Sequence, residues 1–267
     1  MQLNTVEEII SDIRAGRMVV LLDDDAEKGH NEGVVMMAAE HVHADDVNFM
    51  ARKAKGLVCL AMTEERCQLL GLPPMADDPS GEKSSFTVSI EAREGITTGI
   101  SAADRARTVQ VAVSPTSVAA DIVQPGHIFP LTVVPGGVLT RAGHTEAASD
   151  YARLAGLQPA AMITDILTPD GMLANGAELA EFASIHKLKM GSIADLIHFR
   201  VVSERTIRKV RGGKINTQYG EFDLTTYRDQ TTGHVHLAVH LGDINPDDPT
   251  LVRVHVQSVV RDMLGAE

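Results

Sequence analysis

The sequence has 267 residues, enough for one large domain or for one domain with an appendage. Hydrophobic residues make up 44% and charged residues 22%, as in a typical soluble globular protein, but with only 3% aromatic residues the core must rely on aliphatic side chains and methionine. The formal net charge of -12 argues against non-specific nucleic-acid binding, although a few arginines can still prepare one cleft for an anionic substrate.

Cysteine usage and hydropathy exclude several classes of protein. The two cysteines, Cys59 and Cys67, are too few for a disulfide framework or a four-cysteine metal site. No apolar run approaches the roughly 18 residues that are needed to span a bilayer. The N-terminus shows no basic segment followed by an apolar run, so we predict no secretory signal and no membrane partner, and we expect a cytoplasmic protein.

The first elements surround an acidic loop. Residues 5–14 have apolar residues at helical spacing behind a capping pattern, which predicts a helix. Residues 18–22 form a continuous apolar run, which predicts a buried strand. The loop at 23–33 then leads to a second apolar run at 34–39. Acidic residues beside glycine at a strand end suit metal or phosphate chemistry, and a solvated acidic turn accounts for them equally well.

Helices and strands alternate through the middle of the chain. We predict a helix at 45–54, a strand around Cys59, a helix from 63 to about 70, an exposed loop at 75–84 and a strand at 86–90. The segment TTGISAADR at 97–105 could present backbone N–H groups to an anion or be an ordinary helix N-cap. Residues 125–131, PGHIFPL, predict a tight prolyl turn that carries His127.

Residues 135–146, PGGVLTRAGHTE, concentrate polar side chains that carry chemistry. The glycines let the backbone approach a ligand closely. Arg141 offers a fork of donors suited to phosphate, and His144 can bind a metal ion or move a proton. Taken alone, this stretch has an alternative interpretation as an ordinary polar loop with no catalytic or binding role.

The remainder completes one domain and begins another. We predict a helix at 146–154, a strand at 160–167 and a helix at 178–186, with residues 193–199 closing the compact part, and then strands at 221–227, 234–241 and 251–256. Asp165 lies in an otherwise apolar strand and therefore needs a partner or a function. Residues 203–214 are basic, and the two glycines at 212–213 predict a hinge. Three histidines could share one strand face and bind zinc, namely His234, His236 and His240.

Three segments taken together resemble a known family. In order and spacing, TTGISAADRART, PGHIFPL and PGGVLTRAGHTEA are similar to 3,4-dihydroxy-2-butanone 4-phosphate synthase of riboflavin biosynthesis, from the first helix to about Arg200. The resemblance implies an α/β (α+β) fold, a mixed sheet flanked by helices, over 1–200. Residues 201–267 resemble the opening of GTP cyclohydrolase II and form a small β-rich appendage. Residues 255–258 stand where its zinc cysteines would begin, so we expect no cyclohydrolase activity.

The resemblance also implies roles for individual residues. His127, Asp165 and Glu32 are assigned to catalysis, with Asp165 one methylene shorter than the family's glutamate. The substrate-binding positions are Arg141, Ala142, Gly143, His144, Thr145, Thr98 and Asp24. Metal binding falls to His144 and His30, with Mg²⁺ or Mn²⁺ as the cofactor or, because of His30, another divalent ion. Cys59 matches the pocket cysteine, and Asp104 matches the loop that holds Thr98. The implied partners are a sugar phosphate and a second copy of the chain in a homodimer.

The acidic loop departs from the family pattern. The usual Arg-Glu pair is missing in either alignment of the loop: alignment on residues 31–33 places Gly29 and His30 at its positions, and alignment on residues 23–24 places Glu27 and Lys28 there in the reverse charge order. The alignment on residues 31–33 also places Val34 where the family has an aspartate, and valine cannot hydrogen-bond a sugar hydroxyl. The 75–85 loop also differs from the family's glycine-aromatic turn. Three hypotheses follow: the family's lyase reaction, a different rearrangement or elimination on a phosphorylated sugar, and an inactive sugar-phosphate-binding protein.

Overall fold

The computed structural model describes residues 3–23, 32–76, 85–230, 233–245, 247–256 and 258. The chain divides into two units, Met1–Thr206 and Ile207–Glu267. The helices of the first unit are α1 (Val6–Arg14), α2 (Ala44–Phe49), α3 (Glu64–Leu69), α4 (Ala102–Val113), α5 (His144–Leu154), α6 (Gly176–His186) and α7 (Ile193–Ser203). Its strands are β1 (Val19–Asp23), β2 (Glu32–Ala38), β3 (Cys59–Thr63), β4 (Ile90–Ala92), β5 (Ile122–Val133), β6 (Ala160–Asp165) and β7 (Lys189–Ser192).

These strands form one mixed sheet in the order β4-β5-β3-β6-β2-β1-β7. The pairs β3–β5 and β1–β7 are parallel, and the other neighbours are antiparallel. The sheet is covered on both faces, which explains the continuous apolar run at 18–22. Val19 and Leu21 pack on the α1 and α5 side, whereas Val20 and Leu22 pack on the side of α2 and α4. The predicted mixed sheet flanked by helices is confirmed.

The predicted prolyl turn at 125–131 is wrong, because these residues belong to β5. The pairing of β4 with β5 jumps from Ile90 opposite Ile128 to Glu91 opposite Val123, so residues 124–127 bulge out of the ladder. A Cβ on Gly126 would lie 2.1 Å from the backbone carbonyl carbon of Ile90, so only glycine fits there. The bulge brings His127 to the surface beside β4.

The second unit contains an antiparallel sheet of β8 (Ile207–Thr217), β9 (Gly220–Asp229) and β10 (Val235–His240), in the order β10-β9-β8. The predicted glycine hinge is wrong, because Gly212 and Gly213 pair within β8 against β9. The strand predicted at 251–256 is also absent from these described residues. No helix in the described ranges is long and apolar enough to cross a membrane.

The proposed three-histidine zinc site does not form. His236 and His240 point to one face of β10, but residues four apart in a strand are separated by about 13 Å, too far to bind one ion. Across the described ranges, no three His, Cys, Asp or Glu side chains converge as a metal site.

Candidate functional site

His144 is the first residue of α5, behind Gly143 at the N-cap. Its Nε2 is buried and has no hydrogen-bond partner among the described residues. Burial lowers the pKa of His144, although the charges of Asp23, Asp165 and Glu32 and a hydrogen bond to the Glu32 backbone oppose the shift. A neutral imidazole with one nitrogen held by the backbone and the other unused is suited to binding a metal ion.

The sheet brings the three carboxylates around His144 to the same end of its strands. Asp23 ends β1 and pairs with Glu32, the first residue of β2. Asp165 ends β6 opposite Val34 of β2. Asp165 lies at the exposed end of β6, where partial desolvation and the nearby charge of Glu32 raise its pKa while His144 opposes the shift. Among the described residues no three His, Cys, Asp or Glu side chains converge here, and Mg²⁺ commonly completes its coordination with water and substrate oxygens.

Arg141 lies three residues before His144 and is held by a buried carboxylate. Its Nη2 is 2.5 Å from Oε1 of Glu146, which also accepts a hydrogen bond of 3.2 Å from the Val134 N–H. The Glu146 side chain is 1% exposed, whereas Arg141 is 40% exposed. The guanidinium is therefore fixed at one edge and open at the other, beside the N–H groups of the first turn of α5, where an anion is favoured.

The turn that precedes Arg141 is stabilised by side chains from α5 and α7. Gly136 and Gly137 have φ of 92° and 63°, and a Cβ on Gly137 would lie 2.3 Å from Oδ2 of Asp150. Asp150 accepts a hydrogen bond from the Val138 N–H at 2.9 Å and pairs with Arg200 at 2.6 Å. Arg200 also donates to the carbonyl oxygen of Gly136 at 2.9 Å. A buried ion pair thus fixes the turn before Arg141.

Asp104 organises the loop that carries Thr98. It accepts hydrogen bonds from the Thr97 N–H and hydroxyl at 3.2 and 2.9 Å and from the Gly99 N–H at 3.0 Å. Burial acts to raise the pKa of Asp104, but these hydrogen bonds outweigh it and the net shift is downward. The Thr98 side chain is left exposed at the surface of this loop.

Replacing Asp104 with asparagine is expected to destabilise the protein at pH 7, because the amide supplies one acceptor where the carboxylate supplies two. A carboxyl whose folded-state pKa is lowered stabilises the fold above its unfolded pKa and loses that contribution as pH falls through the folded value. The difference between wild type and Asp104→Asn in urea unfolding should therefore shrink below about pH 4. Asp45→Asn, at an exposed carboxylate, is the control; an equal loss in both variants would contradict the prediction.

Two of the predicted site residues lie on separate segments, Thr98 on the loop held by Asp104 and His127 in the bulge of β5, and the others fall into three groups. His144, Asp165 and Glu32 come together, and Arg141, Ala142, Gly143 and Thr145 adjoin them at the start of α5. Asp24 and His30 lie outside the described residues, as does Gly29. Val34 is 2% exposed and packs in the core, so it forms no part of the site surface. Cys59 is also buried, and desolvation raises its pKa to about 12.

Sequence reasoning missed four side chains that shape the site: Asp23, Glu91, Asp150 and Arg200. Asp23 could have been found as the residue that directly follows the predicted strand at 18–22 and opens the acidic loop. The other three make hydrogen bonds to partners 36 to 64 residues away in the sequence, and no local sequence pattern predicts such contacts.

Two family models match this chain. The family model described as 3,4-dihydroxy-2-butanone 4-phosphate synthase matches residues 7–199, and the model for GTP cyclohydrolase II matches residues 208–267. A 3,4-dihydroxy-2-butanone 4-phosphate synthase of Pseudomonas aeruginosa is 55% identical over 265 residues, covering 99% of this chain and 72% of the relative. The riboflavin biosynthesis protein RibBA of Aquifex aeolicus is 48% identical, covering 97% of this chain and 64% of the relative.

Solved structures give the same result. RibBX, a two-domain 3,4-dihydroxy-2-butanone 4-phosphate synthase from A. baumannii, superimposes with a TM-score of 0.86 at 50% identity, covering 98% of this chain and 77% of that one. A 3,4-dihydroxy-2-butanone 4-phosphate synthase in complex with two magnesium ions superimposes with a TM-score of 0.69 at 35% identity, covering 75% of this chain and 98% of that one.

Proposed function

This chain belongs to the 3,4-dihydroxy-2-butanone 4-phosphate synthase family, and from that membership we propose that the N-terminus of α5 is where it converts D-ribulose 5-phosphate into 3,4-dihydroxy-2-butanone 4-phosphate and formate. The observation that carries the assignment of the site is the orphaned, buried Nε2 of His144, which lies among three carboxylates beside a half-free arginine. We assign the reaction to residues 1–200 and treat 201–267 as a separate appendage.

Each group of the site has a distinct task in this proposal. Arg141 and the first turn of α5 bind the phosphate and so position the sugar. The ring nitrogen of His144 and one neighbouring carboxylate would hold a divalent metal, which supplies polarisation of adjacent oxygens of the enediol. Glu32, Asp165 and His127 accept and return protons while a carbon migrates and formate leaves. Thr98 and Asp24 complete the contacts to the substrate.

The donor set bears on which divalent ion the site would prefer. A relative of known structure holds two magnesium ions, and we propose that this protein also requires a divalent cation, Mg²⁺ or Mn²⁺. The acidic loop bears His30 where the family has a carboxylate, and we infer that an added imidazole ligand would shift preference from Mg²⁺ toward softer ions. Comparing activation by Mg²⁺ and Mn²⁺ in wild type and His30→Glu tests this, since equal preference in both would exclude a role for His30.

The lyase reaction is tested by incubating the purified protein with ribulose 5-phosphate and Mg²⁺ and measuring formate. We expect about one formate for each substrate molecule consumed, loss of turnover with a chelator, and recovery when metal is restored. A folded protein that binds the sugar phosphate without releasing formate would instead support the inactive binding protein. Consumption of the substrate without formate would support a different rearrangement.

We also propose that the protein is a cytoplasmic homodimer, as its family resemblance implies. Light scattering coupled to size exclusion should give a mass close to twice that of the chain. A monomer that releases formate at the full rate would exclude the dimer as a requirement for activity.

A further inference from the structure

His127 and Glu91 form a side-chain pair on two different strands. His127 lies in the β5 bulge, and its Nδ1 contacts Oε1 of Glu91 in β4. The Glu91 side chain is 15% exposed, whereas that of His127 is 41% exposed. The carboxylate is therefore mostly enclosed, while the imidazole keeps an open side.

The surrounding backbone is built to accept this pair. Gly99 has φ of 81°, and a Cβ there would lie 1.5 Å from Oε1 of Glu91. Gly126, directly before His127, can approach β4 only because it lacks a side chain, and its N–H donates to Oγ of Ser89 at 3.1 Å. Gly99 thus leaves room for the Glu91 carboxylate, and Gly126 allows the bulge that carries His127. Together they fix the carboxylate acceptor relative to the imidazole ring.

The pair lies toward the same end of the strands as Asp165. Phe129 of β5 and Ile163 of β6 both pair with Cys59 of β3. His127 precedes Phe129 by two residues and Asp165 follows Ile163 by two, and since β5 runs parallel and β6 antiparallel to β3, both residues lie toward the same end of these strands. Any substrate at the start of α5 is therefore close to this end of the strands.

We propose that Glu91 is a positioning residue that accepts the Nδ1 proton of His127 and thereby presents the unprotonated Nε2 to the substrate. An imidazole carries one proton in its neutral form, and the nitrogen that donates to a fixed acceptor leaves the other free to act as a base. Carboxylates orient histidines in this way in metal and acyl-transfer sites. The inference rests on the proposed function only in that His127 moves a proton of the sugar.

Three substitutions separate the hydrogen bond from the charge. Glu91→Gln keeps an acceptor oxygen but removes the charge, Glu91→Asp keeps the charge but shortens the side chain, and Glu91→Leu removes both. We expect kcat for formate release to fall by about 10–100-fold in Glu91→Leu with KM little changed, and to fall less in Glu91→Gln. Glu94→Gln, at an exposed carboxylate three residues away, serves as the control.

The ring tautomer provides a readout that does not depend on turnover. In ¹⁵N spectra, with the His127 signal identified by its loss in His127→Gln, wild type and Glu91→Gln should show Nδ1 protonated, and Glu91→Leu should shift the proton toward Nε2. An unchanged tautomer in Glu91→Leu, or a kcat equal to that of Glu94→Gln, would overturn the proposal. Should Glu91→Leu fail to fold, kcat in Glu91→Gln and Glu91→Asp decides, and values at the wild-type level in both would overturn it.

Failure of this proposal can be told apart from failure of the proposed function. If the wild type releases no formate, the function is wrong, and the tautomer shift alone still decides whether Glu91 orients the ring. If the wild type is active and His127→Gln is equally active, the pair has no part in the reaction.

Discussion

Replacing His144 with alanine is expected to abolish metal-dependent formate release. The change removes the one buried nitrogen of this cluster that has no protein partner in the described chain, and leaves Asp23, Glu32 and Asp165 without the ligand they surround. Loss of a residue that merely supports a metal ligand costs about 10–100-fold in affinity or activity. Loss of the ligand itself should cost more than that.

The fold should survive this substitution, because alanine is a good helix former and the position is the first of α5. Thermal unfolding with and without Mg²⁺ or Mn²⁺ then isolates the metal. Ions that bind only the native state raise the midpoint temperature of unfolding of the wild-type protein, and this increase should vanish in His144→Ala. His198→Ala, at an exposed histidine of α7, is the matched control and should retain both the shift and the activity. Unchanged turnover in His144→Ala would refute the metal assignment.

The parts of the fold that could be predicted are those set by local pattern. The run at 18–22 predicts a strand buried on both faces, and Val19 to Leu22 alternate between the two core clusters as that pattern requires. The start of α5 is also nearly readable, since Gly143 forms the N-cap and the helix begins at His144, two residues before the spacing alone predicts. The polar stretch at 135–146 therefore predicts from sequence where the candidate site lies.

The parts that could not be predicted depend on pairing between distant segments. A histidine between two prolines predicts a turn, and only the register of β4 against β5 shows that it is a bulge in a strand. Gly212 and Gly213 predict a hinge, but their backbone groups pair with β9, which offsets the conformational freedom of glycine. Val34 matches an acidic position in the family alignment, yet its register opposite Asp165 places it in the core.

Replacing Arg200 with methionine is expected to cause the largest loss of stability of any change proposed for this protein. Arg200 is 5% exposed and Asp150 is 6% exposed, and their side chains are 2.6 Å apart. Removing one partner of a buried pair leaves an uncompensated charge, which costs about 3–5 kcal/mol. Burial already raises the pKa of Asp150 despite its contacts to Val138, Arg200 and Arg153, so the remaining contacts cannot replace the lost guanidinium.

Arg200 also lies 2.8 Å from Glu204, and Arg153 contacts the same two carboxylates, Asp150 and Glu204, so it supplies a matched control. It lies 3.6 Å from Asp150 and 2.6 Å from Glu204, but its side chain is 43% exposed. Arg153→Met should therefore cost less than about 1 kcal/mol in urea unfolding. The double variant Arg200→Met with Asp150→Asn should recover much of the loss, because it removes the buried charge while an amide oxygen still accepts from the Val138 N–H.

The pH dependence of Arg200→Met distinguishes a buried charge from lost packing. A carboxyl whose folded-state pKa is raised holds its proton more tightly in the native state, so lowering the pH favours folding until the group is protonated. The difference in unfolding free energy between Arg200→Met and wild type should thus narrow as the pH falls from 7 toward 5, and a constant difference would indicate lost packing alone.

Because Arg200 also holds Gly136 in the turn before Arg141, KM for ribulose 5-phosphate should rise in this variant even at temperatures where it stays folded. An unchanged KM would show that the turn keeps its shape without the hydrogen bond from Arg200.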